Sequence, residues 1–195
     1  MAEKAAKTEK NEKSEKSENV VDLLLAQHDE IRRLASTVEQ SSGKARKDAF
    51  DQLRRLLAVH ETAEEEVVHP FARRAIGDGS HVVDDRLKEE NKAKGALSEL
   101  EKMDTDSPDF AEKFAEFHKD VEAHASHEEK EEFPRIRQDA TPEQMRGMAK
   151  AVRAAEAVAP THPHQGTESP TKNLAVGPMA AVADRVRDAI GKVRS

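Results

Sequence analysis

The segments HETAEEEVVHP (residues 60–70) and HASHEEKEEFP (residues 124–134) carry the same pattern twice in a chain of 195 residues. In each segment a histidine is followed four residues later by a glutamate, and a proline stands ten residues after the histidine. Residues i and i+4 lie on one face of an α-helix, so each histidine and its glutamate can address the same point. The pattern predicts two helices that present matched His–Glu pairs.

Apolar residues recur at helical spacing on both sides of these pairs. They predict four long helices at about 20–40, 46–76, 82–103 and 108–133, separated by the polar stretches SSGK (41–44), GDGS (77–80) and DTDSPD (104–109). Because these connections are short, neighbouring helices are expected to run antiparallel. The predicted fold is all-α, an up-down-up-down antiparallel four-helix bundle.

Further segments are predicted before and after the bundle. We divide the chain into a disordered charged tail (1–19), the bundle (20–137), a short accessory helix (138–159), a linker loop (160–173) and an amphipathic C-terminal helix (174–195). The accessory helix itself is predicted at about 142–158, after the start signal Thr141–Pro142. The C-terminal helix has an apolar stripe and a basic face, so docking on the bundle, a protein partner and a membrane surface are all open for it.

Composition excludes several classes of function. The net charge of −7 argues against nucleic acid as the main partner. The absence of cysteine excludes disulfides, thiolate metal sites and cysteine nucleophiles. No apolar run is long enough for an integral membrane segment, so a cytoplasmic location is expected.

Polar side chains interrupt the apolar seams of the four predicted helices at one level. The interrupting residues are His28, His60, Glu64, Glu90, His124 and Glu128. Three buried carboxylates cost several kcal/mol each unless they are paired or bind a metal, and the predicted layer contains no Lys or Arg. Histidine with carboxylate suits iron, manganese or zinc. Two His–Glu pairs suit two metal ions, with the histidines as terminal ligands, Glu64 and Glu128 as bridges and Glu90 as a terminal or bridging ligand.

The remaining histidines and glutamates of the two repeats fall off the seams. We predict a surface position for Glu65, Glu66, Glu129, Glu131 and Glu132, whereas Glu61 can reach the edge of the layer. The histidines expected at the surface or just outside the ligands are His69, His81, His118 and His127. His162 and His164 fall in a proline-rich loop and are expected to bind nothing specific.

The arrangement resembles the hemerythrin-like (HHE cation-binding) domain. The resemblance rests on His28, on His60-x-x-x-Glu64 and His124-x-x-x-Glu128, and on Pro70 and Phe133–Pro134 closing the second and fourth helices; it covers about residues 20–137. It implies a non-haem di-iron centre with carboxylate and oxo or hydroxo bridges. Members of the family bind oxygen, sense oxygen or redox state, or handle iron, nitric oxide or peroxide.

One position departs from the family pattern, because Glu90 stands where the third helix usually carries a histidine. An additional carboxylate stabilises the ferric state and brings the site closer to di-iron oxidases and peroxidases. We therefore expect a protein that binds or senses O2, peroxide or NO in a redox or stress response. The alternatives are a di-iron peroxidase or catalase-like enzyme, an iron-handling protein and a structural bundle without metal. The chain has no tyrosine to form a radical, which favours binding over turnover.

Overall fold

The structure is a computed structural model that describes residues 19–159 and 161–162. It contains the helices α1 (Val20–Gln40), α2 (Gly43–Ala63), α3 (His69–Ala75), α4 (Gly79–Leu100), α5 (Pro108–His127), α6 (Phe133–Asp139) and α7 (Pro142–Glu156). Two π-helical turns, Glu64–Val68 and Glu128–Glu132, join α2 to α3 and α5 to α6. Four long helical segments therefore form the bundle and α7 is added to it. The described residues contain no strand, which confirms the predicted all-α class.

The starts of three helices follow from capping side chains. Asn19 accepts a hydrogen bond from the backbone N–H of Asp22 at the start of α1, and Ser107 does the same at the start of α5. Thr141 and Gln144 form a capping box at the start of α7. Each cap satisfies N–H groups that have no partner inside the helix, and this fixes where the helix begins.

The apolar core is divided into two clusters that lie on either side of the polar layer. Along α1, Leu24 belongs to one cluster and Ile31 to the other, and His28 stands between them. The same order recurs on the third long segment, where Val83 and Leu97 belong to different clusters. The layer is therefore enclosed by apolar packing from both ends of the bundle, which keeps water away from it.

The prolines predicted to close the second and fourth helices lie inside them, and that prediction is wrong. The chain remains helical to Ala75 beyond Pro70 and to Asp139 beyond Pro134. Proline has no N–H and its ring clashes with the carbonyl of the preceding α-helical turn. Here each proline is the second residue after a wider π-helical turn, which changes the hydrogen-bond spacing of the backbone just before it.

Several predicted segments fall outside the part of the chain that the structure describes. They are the tail up to residue 18, residue 160 and the linker from residue 163, and the C-terminal helix at 174–195. Among the described helices, none is both long and apolar enough to cross a membrane.

Candidate metal centre

The six residues predicted as ligands are all buried in the polar layer between the two apolar clusters. Four of them form one group, in which the candidate ligand atoms lie within 4.8 Å of one another: His28, His60, Glu64 and Glu128. A second group of the same tightness consists of His69, Glu90 and Glu128. Glu128 belongs to both groups, and its side chain is fully buried. The layer therefore contains two groups of candidate ligands that have one carboxylate in common.

The imidazoles turn their Nε2 atoms towards the carboxylates of the layer. The Nε2 atom of His60 lies 3.2 Å from Oε2 of Glu64, within one repeat. The two oxygens of Glu128 lie 3.3 Å from Nε2 of His28 and 3.4 Å from Nε2 of His124. His124 is thus in the layer beside Glu128, although it belongs to neither of the two tight groups.

The Nδ1 atoms of the same imidazoles contact acceptors outside the layer. The pairs are His28 with Glu129 at 2.9 Å, His60 with Gln27 at 2.8 Å, and His124 with Glu89 at 3.1 Å. An acceptor at Nδ1 holds the proton there and leaves the lone pair on Nε2, where a metal needs it. Sequence reasoning missed these acceptors, because Gln27 and Glu89 carry no pattern of their own.

His69 was predicted to lie off the seam, either at the surface or just outside the ligands, and of these the surface position is wrong. Its side chain is buried, with Nε2 2.6 Å from Oε1 of Glu90 and Nδ1 3.3 Å from Oε1 of Glu132. The surface positions predicted for Glu65 and Glu132 are wrong as well, since both are buried. A π-helical turn contains one more residue than an α-helical turn, so it rotates everything after Glu64 relative to the α-helical seam.

A proline in the middle of an amphipathic helix was the signal that could have revealed this rotation. Among the other off-seam residues, Glu61 is buried at the edge of the layer, whereas Glu131 is exposed. Glu129 is partly buried because it contacts His28 and Arg32. His81, His118 and His127 are not buried, and His127 shares Glu89 with His124.

The charge of the layer is balanced only in part by protein cations. The layer and its edge hold six buried carboxylates: Glu61, Glu64, Glu65, Glu90, Glu128 and Glu132. The prediction that no Lys or Arg lies there is wrong, because Arg86 and Lys94 are buried one turn before and one turn after Glu90. Lys94 forms an ion pair with Glu65. The guanidinium of Arg86 lies 3.3 Å from Glu89 and 3.9 Å from Glu131, which are outside this set, so lysine and arginine offset only a small part of the buried negative charge among the described residues.

The pKa values of the layer show how the protein accommodates this charge without a metal. Burial, and then the charge of Glu128, raise the pKa of Glu64 well above its usual range. Burial alone would raise the pKa of Glu128, but His124 and His28 outweigh it and lower that pKa to about 2. Burial opposes protonation of His124, yet Glu128 and Glu89 raise its pKa to about 9. Without a metal, protons on these side chains offset the buried negative charge, and bound metal ions would offset it in their stead.

Many atoms of the layer have no hydrogen-bond partner among the described residues. The candidate ligand atoms among them are His28 Nε2, His124 Nε2, both carboxylate oxygens of Glu64 and of Glu128, Glu90 Oε2 and Glu132 Oε2; Glu66 Oε2, Asn91 Oδ1 and the Nε and Nη1 atoms of Arg86 lack hydrogen-bond partners as well. A buried polar atom without a partner destabilises the fold. Because many such atoms surround one point here, they need a common explanation. Imidazole nitrogens and carboxylate oxygens are ligands for iron, manganese or zinc, and the donor set therefore fits such ions.

The fold and this layer together define an all-α bundle whose buried His/Glu cluster fits metal binding. The family model of the hemerythrin HHE cation binding domain matches residues 19–136, more than half of the chain. The chain belongs to this hemerythrin-like family, as the resemblance of its motifs indicated.

Curated relatives and a solved structure agree with this assignment. An uncharacterized hemerythrin-like protein from Schizosaccharomyces pombe is 25% identical over 138 residues, which are 70% of this chain and 68% of that protein. A Nostoc protein named DNA nickase is 26% identical over 139 residues, 71% of this chain, and the chain spans only 39% of that relative's length. A hemerythrin HHE cation binding domain-containing protein from Mycobacterium kansasii has the same fold, with a TM-score of 0.63 and 20% identity, covering 85% of this chain and 98% of that one.

Proposed function

We propose that this protein binds two iron ions in the buried layer and uses them to bind or sense O2, peroxide or NO in a redox or stress response. The observation that carries the proposal is the convergence of unpartnered nitrogen and oxygen atoms in two groups that share Glu128. His28, His60 and Glu64 would hold one ion, His69 and Glu90 the other, and Glu128 would bridge them. Glu64, predicted from the sequence as a second bridge, belongs to one group only and is therefore proposed as a ligand of one ion. His124, whose Nε2 atom is buried beside Glu128, would complete the second set.

The charge of the layer supports a stoichiometry of two. The layer and its edge hold six buried carboxylates; Lys94 pairs with one of them, whereas Arg86 contacts Glu89 and Glu131 outside the set. Two divalent cations would offset more of this buried negative charge than one ion could, and they would take the place of the protons on Glu64 and His124. Two ferrous ions therefore match the donor atoms, which form two groups.

The side chains of the layer determine what the bound iron can do. Iron in such a site supplies a redox-active centre that can take up a diatomic molecule or peroxide. The two apolar clusters exclude water, and the outer acceptors keep the imidazoles oriented with Nε2 inward. The carboxylate of Glu90, standing where the third helix of the family usually carries a histidine, adds negative charge that stabilises ferric iron and weakens simple reversible oxygen carriage.

An enzyme of the catalase type is the alternative. The chain contains no Tyr, Trp or Cys, so it lacks the side chains that most readily carry a single electron from a donor at the surface. Disproportionation of peroxide needs no external electrons, since one peroxide molecule oxidises another. The missing residues therefore argue against an enzyme that takes electrons from an external reductant. They argue less strongly against a catalase-like reaction, which needs no such electrons.

Two measurements on anaerobically prepared ferrous protein separate these functions. We expect O2, peroxide or NO to change the absorption spectrum in proportion to bound iron, and the change to be absent in Glu128→Gln. Steady-state consumption of peroxide with release of O2 would favour the catalase-like alternative. A spectrum that none of the three ligands changes, in protein that holds two irons, would contradict ligand binding and leave iron handling as the function.

A further inference from the structure

A chain of hydrogen bonds connects the accessory helix α7 to the metal layer. Glu156, the last residue of α7, accepts a hydrogen bond from the side-chain Nε2 of Gln27 on α1. The Oε1 atom of Gln27 lies 2.8 Å from Nδ1 of His60 on α2. The Nε2 atom of the same imidazole lies 3.2 Å from Oε2 of Glu64. The end of α7 is therefore two contacts away from a proposed metal ligand.

The chemistry of these groups determines where the proton of His60 lies. An ionised carboxylate only accepts hydrogen bonds, so Glu156 requires Gln27 to turn its amide nitrogen outward. The amide oxygen of Gln27 then faces His60, and because an amide oxygen also only accepts, Nδ1 of His60 must carry the proton. The lone pair is left on Nε2, on the side of Glu64, which is the tautomer that a metal needs.

His60 differs from the other imidazoles of the layer in this respect. The Nδ1 atoms of His28 and His124 contact carboxylates directly, and a carboxylate, which only accepts, holds the proton on Nδ1 without help. His69 has a carboxylate at each ring nitrogen, so no amide takes part in placing its protons. The neighbour of His60 is an amide, which can turn either its oxygen or its nitrogen to the ring. A second group must decide between these orientations, and Glu156 occupies the position from which it can do so.

Helix α7 holds Glu156 firmly. Its first turn is closed by the capping box of Thr141 and Gln144. Its apolar face, which includes Met148 and Val152, is buried in the same cluster as residues of α1 and of the first π-helical turn. A side chain on a capped and packed helix has a well-defined position, as a group that orients a ligand requires.

We propose that Glu156 is a positioning residue that sets the tautomer of His60 through Gln27, so that α7 is a working part of the metal centre. The proposal rests on the proposed role of His60 as a ligand, and it extends that role to a helix outside the four-segment bundle. Whatever moves the end of α7 then changes the state of a metal ligand.

The substitution Glu156→Lys tests this in the full-length protein. A lysine ammonium only donates, so it turns the oxygen of Gln27 outward and its nitrogen towards His60, which moves the ring proton to Nε2. A cation in the last turn is favourable for the helix dipole, so α7 is expected to stay folded. We expect 1H–15N correlation spectra of the metal-free protein to show Nδ1 of His60 protonated in the wild type and Nε2 protonated in the variant. Zinc affinity should fall about 10-fold or more, as for other changes in groups that orient ligands.

Two further variants distinguish this route from a general effect of charge. Glu30 lines the same surface groove as Gln27 and Glu156 and pairs with Arg33 as Glu156 pairs with Arg153, but its hydrogen bonds among the described residues do not reach Gln27. Glu30→Lys should therefore leave both the tautomer and zinc affinity unchanged. In a Gln27→Met background, Glu156→Lys should cause no further loss of zinc affinity, because the connecting amide is gone.

The proposal is overturned if wild-type His60 carries its proton on Nε2, or if Glu156→Lys changes neither the tautomer nor the affinity. It is also overturned if the losses of Gln27→Met and Glu156→Lys multiply in the double variant. A wild-type protein that shows the expected tautomer but binds no zinc would refute the proposed metal centre while leaving the link between Glu156 and His60 supported.

Discussion

The substitutions Glu64→Gln and Glu128→Gln make the same chemical change at matched positions of the two repeats, yet we expect different results. The carboxylate of Glu128 belongs to both groups of candidate ligands, whereas that of Glu64 belongs to one. Glu128→Gln should therefore remove both metal ions. Glu64→Gln should retain about one ion per chain, held by the group that contains His69 and Glu90.

The two variants should also change the stability of the metal-free protein in opposite directions. Although burial opposes ionisation, His124 and His28 lower the pKa of Glu128 from 4.5 to about 2, which corresponds to about 3 kcal/mol of stabilisation. A lowered carboxyl pKa stabilises the fold above pH 4.5, and this contribution is lost as the pH falls through about 2. At pH 7, Glu128→Gln should therefore lower the free energy of unfolding by about 3 kcal/mol.

The pKa of Glu64 is shifted the other way, because burial and Glu128 raise it well above 4.5. Ionised Glu64 destabilises the metal-free fold, so its replacement by a neutral amide should raise the free energy of unfolding at pH 7. Urea denaturation of the metal-free variants measures both effects, and elemental analysis of the loaded variants measures the ions. Glu131→Gln, at an exposed position of the second repeat, is the control.

A change of stability in the same direction in both variants would contradict the opposite pKa shifts of Glu64 and Glu128. The reasoning on the metal would be refuted if Glu64→Gln lost all metal while Glu128→Gln retained one ion, because Glu128 would then not be the shared ligand.

One titration and two substitutions test other parts of the layer. Burial opposes protonation of His124, but Glu128 outweighs burial and raises the pKa of this ring to about 9. The proton on His124 therefore stabilises the metal-free fold fully below pH 6.5, and this stabilisation is lost as the pH rises through about 9. A metal must displace this proton, so zinc titration in weak buffer at pH 7 should release protons, and zinc affinity should decrease as the pH is lowered. Zinc binding without proton release would contradict the displacement of the His124 proton. Lys94→Met leaves buried Glu65 without its partner and should lower the free energy of unfolding of the metal-free protein by about 1–3 kcal/mol in urea titrations, because burial raises the pKa of Glu65 to about 8 and lets it take up a proton. An unchanged value would show that the pair contributes nothing. His69→Ala should reduce the metal content to about one ion per chain and His81→Ala, at an exposed position, should not; equal metal content in the two variants would remove His69 from the site.

The apolar periodicity was sufficient to predict the bundle and the level of the polar layer. The seam of α1 is a regular α-helix from end to end, and His28 lies where its spacing placed it. Glu90 was found in the same way on α4, although most members of the family have another residue type there. Regular helices convert sequence spacing directly into position, which is why these residues could be identified without a structure.

The positions after each His–Glu pair could not be predicted in this way. The π-helical turns begin at Glu64 and Glu128 themselves, and each adds a residue to its turn. From there on an α-helical projection assigns the wrong face, and so it placed His69 and Glu132 outside the core. π-helical turns occur frequently at functional sites, and here one brings His69 to the second group of candidate ligands.

The acceptors that orient the imidazoles were beyond sequence reasoning for a different reason. Gln27 and Glu89 lie next to seam residues on helices other than those of their histidines. Such contacts depend on how two helices are rotated relative to each other, and a single sequence contains no direct signal for that rotation. A charged or amide residue beside a seam is usually solvated, so only the packed structure separates these two from the many surface residues of the same type.

The most direct test of the metal centre is the iron content of the full-length protein after anaerobic reconstitution with ferrous iron and removal of unbound metal. We expect about two irons per chain in the wild type, in keeping with the two groups of candidate ligand atoms that share Glu128, and almost none in Glu128→Gln. Iron content in the wild type no higher than in Glu128→Gln would contradict the account, because the converging side chains would then not hold the metal.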